Sequence, residues 1–268
     1  MTHKVTTEEI GPVRVLRINR PEQRNCIDRE TAVGLGEAIE AFGADRNARV
    51  LVLTGQGELA FCAGADLKSS TSLLEHRYVD VAGPMGFARL DPGKPTIAAV
   101  NGYCFAGGFE LAAWCDFRVA AANAEFGCLS RRWGVPYTDG GTQRFARIMG
   151  IGHALYLLET GARIDARRAY EMGFVQEVVP AGQALPRALE LAAHIAAYPN
   201  YPGIRADRAA ALATFGLALD DGLRLEAQLV RPELFSDEMR AGLARFAAGA
   251  RPAPPRPPAG PREAGPAS

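Results

Sequence analysis

Two glycine-rich segments, about forty residues apart, constrain this chain more than anything else in it. They are Phe61-Cys62-Ala63-Gly64-Ala65-Asp66-Leu67-Lys68 and Asn101-Gly102-Tyr103-Cys104-Phe105-Ala106-Gly107-Gly108-Phe109-Glu110. Each follows an apolar, strand-like run and leads toward a helix. Small residues there let another molecule approach bare backbone. A helix start also offers unpaired N–H groups and the positive end of its dipole. Two such N–H sources facing one another make an oxyanion hole. The second segment adds a carboxylate, Glu110, three residues after Gly107. A carboxylate one helical turn from an oxyanion donor suits proton transfer beside a stabilised enolate.

The surrounding pattern is α/β. Val13–Asn19 reads as a strand. Asp28 suits the N-cap of a helix running to Phe42, with Gly43 as its stop. Val50–Thr54 and 95–100 are short, apolar strands of the kind covered on both faces. Residues 67–90 show no clear period. A helix over 107–114, a strand at Phe117–Ala120, helices near 140–149, 151–159 and 165–172, and a strand at 175–179 follow. This alternation argues for repeated strand–helix units. From Leu185 the chain reads as helical, with a hinge at Tyr198-Pro199-Asn200-Tyr201-Pro202-Gly203. Residues 1–197 form the expected core. Residues 198–250 carry too little apolar content for a core of their own, so they pack on the main body or on a neighbouring subunit. Residues 251–268 hold seven prolines and read as a disordered tail.

Composition excludes several function classes. Lys+Arg and Asp+Glu both number 30, so no net charge points to nucleic acid or an anionic membrane. No run of about 18 apolar residues is present to span a membrane, and the N-terminus lacks a secretory apolar region. Five cysteines without a CxxC pair read as reduced, buried thiols of a cytoplasmic protein. Four scattered histidines have no metal spacing, so no metal site is expected.

The motifs taken together resemble the crotonase superfamily, the enoyl-CoA hydratase/isomerase family, over roughly residues 10–248. Arg20-Pro21-Glu22-Gln23-Arg24-Asn25 is similar to its early loop, and Pro95–Gly102 to its central strand. Cys115-Asp116, Glu125-Phe126-Gly127 and Gly140-Gly141-Thr142-Gln143-Arg144 fall in the family's order. The resemblance implies a crotonase-type (ClpP-like) spiral of ββα units with a C-terminal helical region. It implies a homotrimer or a dimer of trimers, and an acyl-CoA thioester as substrate. It implies no cofactor beyond the coenzyme A carried by that substrate. The backbone N–H groups of Ala65 and Gly107 are then the oxyanion hole. Ala63, Ala65, Asp66, Leu67, Lys68 and Gly107 line the CoA and thioester site, largely through backbone. Asp66 is equally suited to an N-cap. Arg24 either meets CoA phosphates or is a solvated loop arginine.

Glu110 falls on the first of the two acid/base glutamates of the family's hydratases; the alternative is a surface glutamate favoured by the helix dipole. The second glutamate is missing. After Phe126-Gly127 the chain has Cys128-Leu129-Ser130, with Ser130 where that carboxylate belongs. Asp139 lies nearby, and the dienoyl-CoA isomerase branch has a proton-shuttling aspartate at the matching position. Asp139 is either that second catalytic group or the cap of the following helix. Arg131, Arg132 and Trp133 shape the pocket or pair at a subunit interface. The resemblance implies an enoyl-CoA hydratase/isomerase. Remaining alternatives are a dienoyl-CoA isomerase-like proton shuttle, a CoA-thioester hydrolase or decarboxylase, and an acyl-CoA binder without turnover.

Overall fold

The computed structural model describes residues 3–251; apart from Arg251, the expected proline-rich tail lies outside the described residues. The chain opens with β1 (Val5–Ile10), β2 (Val13–Ile18), α1 (Arg29–Ala44), β3 (Val50–Gly55), β4 (Ala60–Cys62) and a one-turn α2 (Val79–Ala82). It continues with β5 (Thr96–Val100), β6 (Tyr103–Phe105), α3 (Gly107–Trp114), β7 (Phe117–Ala121), β8 (Glu125–Gly127), α4 (Gly141–Met149) and α5 (Ile151–Thr160). Then come β9 (Arg163–Asp165), α6 (Ala166–Glu171), β10 (Glu177–Val179), α7 (Ala184–Ala197), α8 (Tyr201–Ala213), α9 (Leu219–Val230) and α10 (Asp237–Ala247).

The strands form two sheets, in the orders β1-β2-β3-β5-β7-β10 and β4-β6-β8-β9. β3, β5 and β7 are parallel neighbours in the first, and β4, β6 and β8 are parallel neighbours in the second. Each turn of the chain therefore gives one strand to each sheet and then a helix. This is the ββα spiral that the resemblance implied.

Strand alternation explains the layering. Val50 and Val52 face one way, into a cluster with Val13, Ile97, Ala99 and Val119. Leu51 and Leu53 face the other way, into the main core with Leu35, Ile39 and Phe109. The first face is covered by α7 through Ala184, Ala188, Ala192 and Ala196, at a spacing of four. Small side chains at that spacing let the helix lie close to the sheet.

Some boundaries differ from the sequence expectation. The Asp28 cap is present, with Oδ1 accepting from Thr31 N–H at 2.9 Å. The helix does not stop at Gly43: Asp45 N–H still donates to Ala41 O, so the last turn runs past it. β1 is an unexpected edge strand, paired antiparallel with β2, and has no buried residue for a period to reveal. The expected hinge is shorter, because α8 already begins at Tyr201, with Asn200 Oδ1 accepting from Gly203 N–H. Arg205 and Arg208 tie α8 to Gly93 O and to Asp91 and Asp116. α9 and α10 bury none of their residues within one chain.

Substituting Ala192→Leu forces extra volume between α7 and the sheet. The expected cost is about 1–3 kcal/mol, read as a lower urea midpoint with an unchanged m-value.

Candidate active site

The first loop turns past the early chain in a way that leaves one N–H over. Ile27 N–H donates to Gly64 O, and Asp66 N–H donates to Ile27 O, so this parallel bridge skips Ala65. The second loop turns at Ala106, whose φ of +51° is a strained conformation for a residue with a side chain. That turn starts α3 with Gly107 as its first residue, whose N–H has no intrahelical partner. The two loops abut: a Cβ on Gly64, already at φ +99°, would lie 3.0 Å from Gly107 N. Among the described residues neither the Ala65 nor the Gly107 N–H has a backbone partner, and the two loops that carry them abut.

All eight residues of α3 are buried, including Glu110, which is 3% exposed. Glu110 Oε1 accepts from Asp139 N–H at 3.0 Å and from Gly141 N–H at 2.8 Å. The carboxylate of α3 therefore occupies the N-terminus of α4, where free N–H groups and the helix dipole favour negative charge. Gly141 makes this possible, since a Cβ there would meet Glu110 Cγ at 2.7 Å and Tyr137 Cδ1 at 2.8 Å. Both bonds fall on Oε1, leaving Oε2 to the cavity that Glu110 lines.

Asp139 does not cap α4; the cap position is Gly140 and no side chain fills it. Its carboxylate points elsewhere, with Oδ1 accepting from Met85 N–H at 3.0 Å and Oδ2 from the Thr138 hydroxyl at 3.0 Å. The Met85 loop is held in turn by His76. Its Nδ1 accepts from Tyr78 N–H, so its Nε2 donates to Pro84 O, at 2.6 Å.

Burial dominates the electrostatics. It pushes Glu110 up to about 8, against the two N–H bonds that favour its ionised form, and the neighbouring Asp139 raises it further. Burial also raises Asp139, opposed by its bonds from Met85 and Thr138 and by the charge of Arg89.

One cavity of ≈ 410 Å³ joins these parts. Ala65, Gly107, Glu110 and Asp139 line it, as do Arg24, Ala63, Asp66, Leu67 and Lys68. The residues expected to catalyse or bind therefore line one cavity, together with Ser130 and Trp133; Arg131 and Arg132 do not line it, and Arg131 donates instead to Leu158 O. Asp66 turns out to be the cap of a short 3-10 turn, accepting from Lys68 N–H and from Arg20 Nη2. Arg24 and Lys68 make no ion pair among the described residues, and the Arg24 guanidinium lies 5.9 Å from the Tyr103 ring centre. Met85 and Thr138 line the same cavity and were not foreseen. Met85 contributes a backbone group, which residue type does not announce; a hydroxyl next to Asp139 was the available signal for Thr138.

A sequence model of the enoyl-CoA hydratase/isomerase family matches residues 8–253. A crotonyl-CoA hydratase from Syntrophomonas wolfei is 34% identical over 245 residues, covering 90% of this chain and 94% of that protein. A short-chain-enoyl-CoA hydratase from Clostridium acetobutylicum is 37% identical over 193 residues, covering 71% and 74%. The crystal structure of an enoyl-CoA hydratase from Mycobacterium marinum superposes with a TM-score of 0.87 at 31% identity, covering 94% and 98%.

The raised Glu110 has a consequence for stability. The folded state holds its proton to about pH 8, whereas the unfolded chain releases it near 4.5. Stability should therefore fall between these values and level off above 8. Glu110→Gln keeps an acceptor for both N–H groups and removes the titration. The variant should gain on the wild type across that window by on the order of a few kcal/mol, measured by urea unfolding at pH 5, 7 and 9.

Proposed function

This chain belongs to the enoyl-CoA hydratase/isomerase family, and on that premise we propose that it adds water to a trans-2-enoyl-CoA through the Glu110–Asp139 pair. The observation that carries this reading is the buried Glu110 beside Asp139 in a cavity that Ala65 and Gly107 also line. Two carboxylates whose environments push them apart divide the roles of acid and base. Burial raises both groups; in this reading Glu110, lifted to about 8, carries the proton of the resting pair and Asp139 is its ionised partner.

In the hydration direction Asp139 takes a proton from water as the water oxygen bonds to C3. The C2–C3 π pair moves into the thioester, and the oxygen that gains charge is held by Ala65 N–H and Gly107 N–H. Each such donor is worth roughly 3–4 kcal/mol in a transition state. The enolate then collapses as Glu110 Oε2 delivers its proton to C2. Asp139 is left protonated and Glu110 ionised, and proton exchange between them resets the pair. Water and two carboxylates balance the reaction, so coenzyme A enters only as part of the substrate. Arg24 and Lys68, cations on the cavity wall, suit its phosphates. The exposed Leu219, Leu223, Phe235 and Phe246 of the C-terminal region suit a subunit interface in a trimer or dimer of trimers. No helix among the described residues is long and apolar enough to cross a membrane; a cytoplasmic setting is part of the same proposal.

A second reading is double-bond migration, in which one carboxylate removes a proton and its partner returns one further along the chain. Ser130 favours it, because no carboxylate stands there to help hold a water.

Crotonyl-CoA distinguishes the two. Hydration yields an adduct heavier by one water; migration leaves the mass unchanged but exchanges hydrogen with D₂O. If Glu110 acts as the acid, kcat/KM falls as pH rises through about 8. A rise through that pH would make Glu110 the base and refute the assignment. Glu110→Gln should lower kcat by about 10²–10⁴ with little change in KM.

A further inference from the structure

Hydration needs Asp139 as an ionised base, yet burial works against its charge. One bond that favours the charge comes from outside α3 and α4: Met85 N–H donates to Asp139 Oδ1 at 3.0 Å. The same peptide unit is held at its other end. Pro84 O, the carbonyl of the Pro84–Met85 peptide, lies 2.6 Å from His76 Nε2. A carbonyl oxygen can only accept, so Nε2 carries the hydrogen. His76 Nδ1 in turn accepts from Tyr78 N–H at 3.1 Å. Donors and acceptors thus run in one direction, from Tyr78 N–H through the imidazole and the peptide to the carboxylate. Aligned dipoles of this kind reinforce one another where water is excluded, and His76, Met85 and Asp139 are all buried. The turn that carries the peptide is fitted to the carboxylate. Gly86 N–H closes it on Gly83 O at 3.0 Å, and a Cβ on Gly83, at φ +89°, would lie 2.7 Å from Asp139 Oδ1.

We propose that His76 is a positioning residue for the base: through the Pro84–Met85 peptide it fixes an N–H on Asp139 Oδ1 and so favours the carboxylate that takes a proton from water. The proposal rests on the hydration reading, with Asp139 as base. His76 is not among the residues that line the cavity, so it acts through the peptide and not on the substrate. Other charged groups face Asp139: Glu110 from α3, Arg144 from α4, and Arg89 from the segment that holds His76. Among the described residues none of them is bonded to an Asp139 carboxylate oxygen; Arg144 donates to the Asp139 and Ala88 carbonyls instead. Orientation of the carboxylate therefore falls to the Met85 N–H and the Thr138 hydroxyl.

The test is the pH profile of kcat/KM for crotonyl-CoA, whose acid limb reports the base. His76→Asn keeps an acceptor for Tyr78 N–H but is too short to donate to Pro84 O. Its acid limb should move up by about 0.5–1 pH unit, the worth of one hydrogen bond. His76→Gln, long enough to donate from its own Nε2, should restore the wild-type limb. An unmoved limb in His76→Asn, with kcat lowered alike at every pH, overturns the proposal, because His76 would then only shape the loop. Equal shifts in both variants overturn it too, because the donor would not be what matters. If His76→Asn does not fold, ¹⁵N-histidine NMR of the wild type decides: hydrogen on Nε2 sustains the relay, and hydrogen on Nδ1 alone refutes it. If the wild type does not turn over crotonyl-CoA, the hydration reading fails separately. Titration of ¹³C-carboxyl aspartate, assigned with Asp139→Asn, then compares the wild type with His76→Asn. Protonation of Asp139 at higher pH in the variant sustains the positioning role, and identical titrations refute it.

Discussion

The site depends on one bond pattern, in which the Glu110 carboxyl group from the middle of α3 accepts from the first N–H of α4, that of Gly141, and from the Asp139 N–H just before that helix. A helix start needs acceptors, and a buried carboxylate needs donors. Glu110 and the Asp139–Gly141 backbone answer both needs at once. The arrangement also fixes the distance between the two carboxylates, because the peptide that donates to Glu110 belongs to Asp139. Burial then works against the bonds. Two N–H donors pull Glu110 toward its ionised form, yet removal from water wins and lifts it to about 8. A carboxyl group that keeps its proton near neutral pH is what an acid catalyst requires.

The scaffold supplies that junction by repetition. Each turn of the spiral ends a strand of the small sheet and begins a helix at the same end of the molecule. β6 leads into α3 through the strained Ala106, and β8 leads through the 128–140 segment into α4. The first turn delivers the Ala65 N–H, the second Gly107 and Glu110, and the third Ser130 and Asp139. Met85 closes the set from the loop before β5, with His76 holding that loop through both ring nitrogens. No single element carries the site, so the rigidity of the two sheets sets its geometry.

Much of this was legible in the sequence. The 107–114 helix was expected from its glycine start and apolar run, and its bounds match α3. The two glycine loops could be paired because each follows an apolar strand. The residues proposed to line the site were named before their meeting was visible. What escaped was short or non-local. β4, β6, β8 and β9 have three residues each, too few to show a period. Asp139 stands beside α4 in sequence, which made a cap attractive, but the group that meets that helix start is 31 residues from Gly141. A backbone donor such as Met85 N–H leaves no mark in residue type. Ser130 was visible as a missing carboxylate.

The central claim is that Glu110 is a carboxylic acid, not a carboxylate, in the resting protein at neutral pH. Infrared difference spectroscopy of protein labelled with ¹³C-carboxyl glutamate, wild type minus Glu110→Gln, reads this directly. The account predicts a protonated-carboxyl C=O band at pH 7 that is lost as pH rises through about 8. A difference spectrum showing only ionised carboxylate at pH 6 would contradict it.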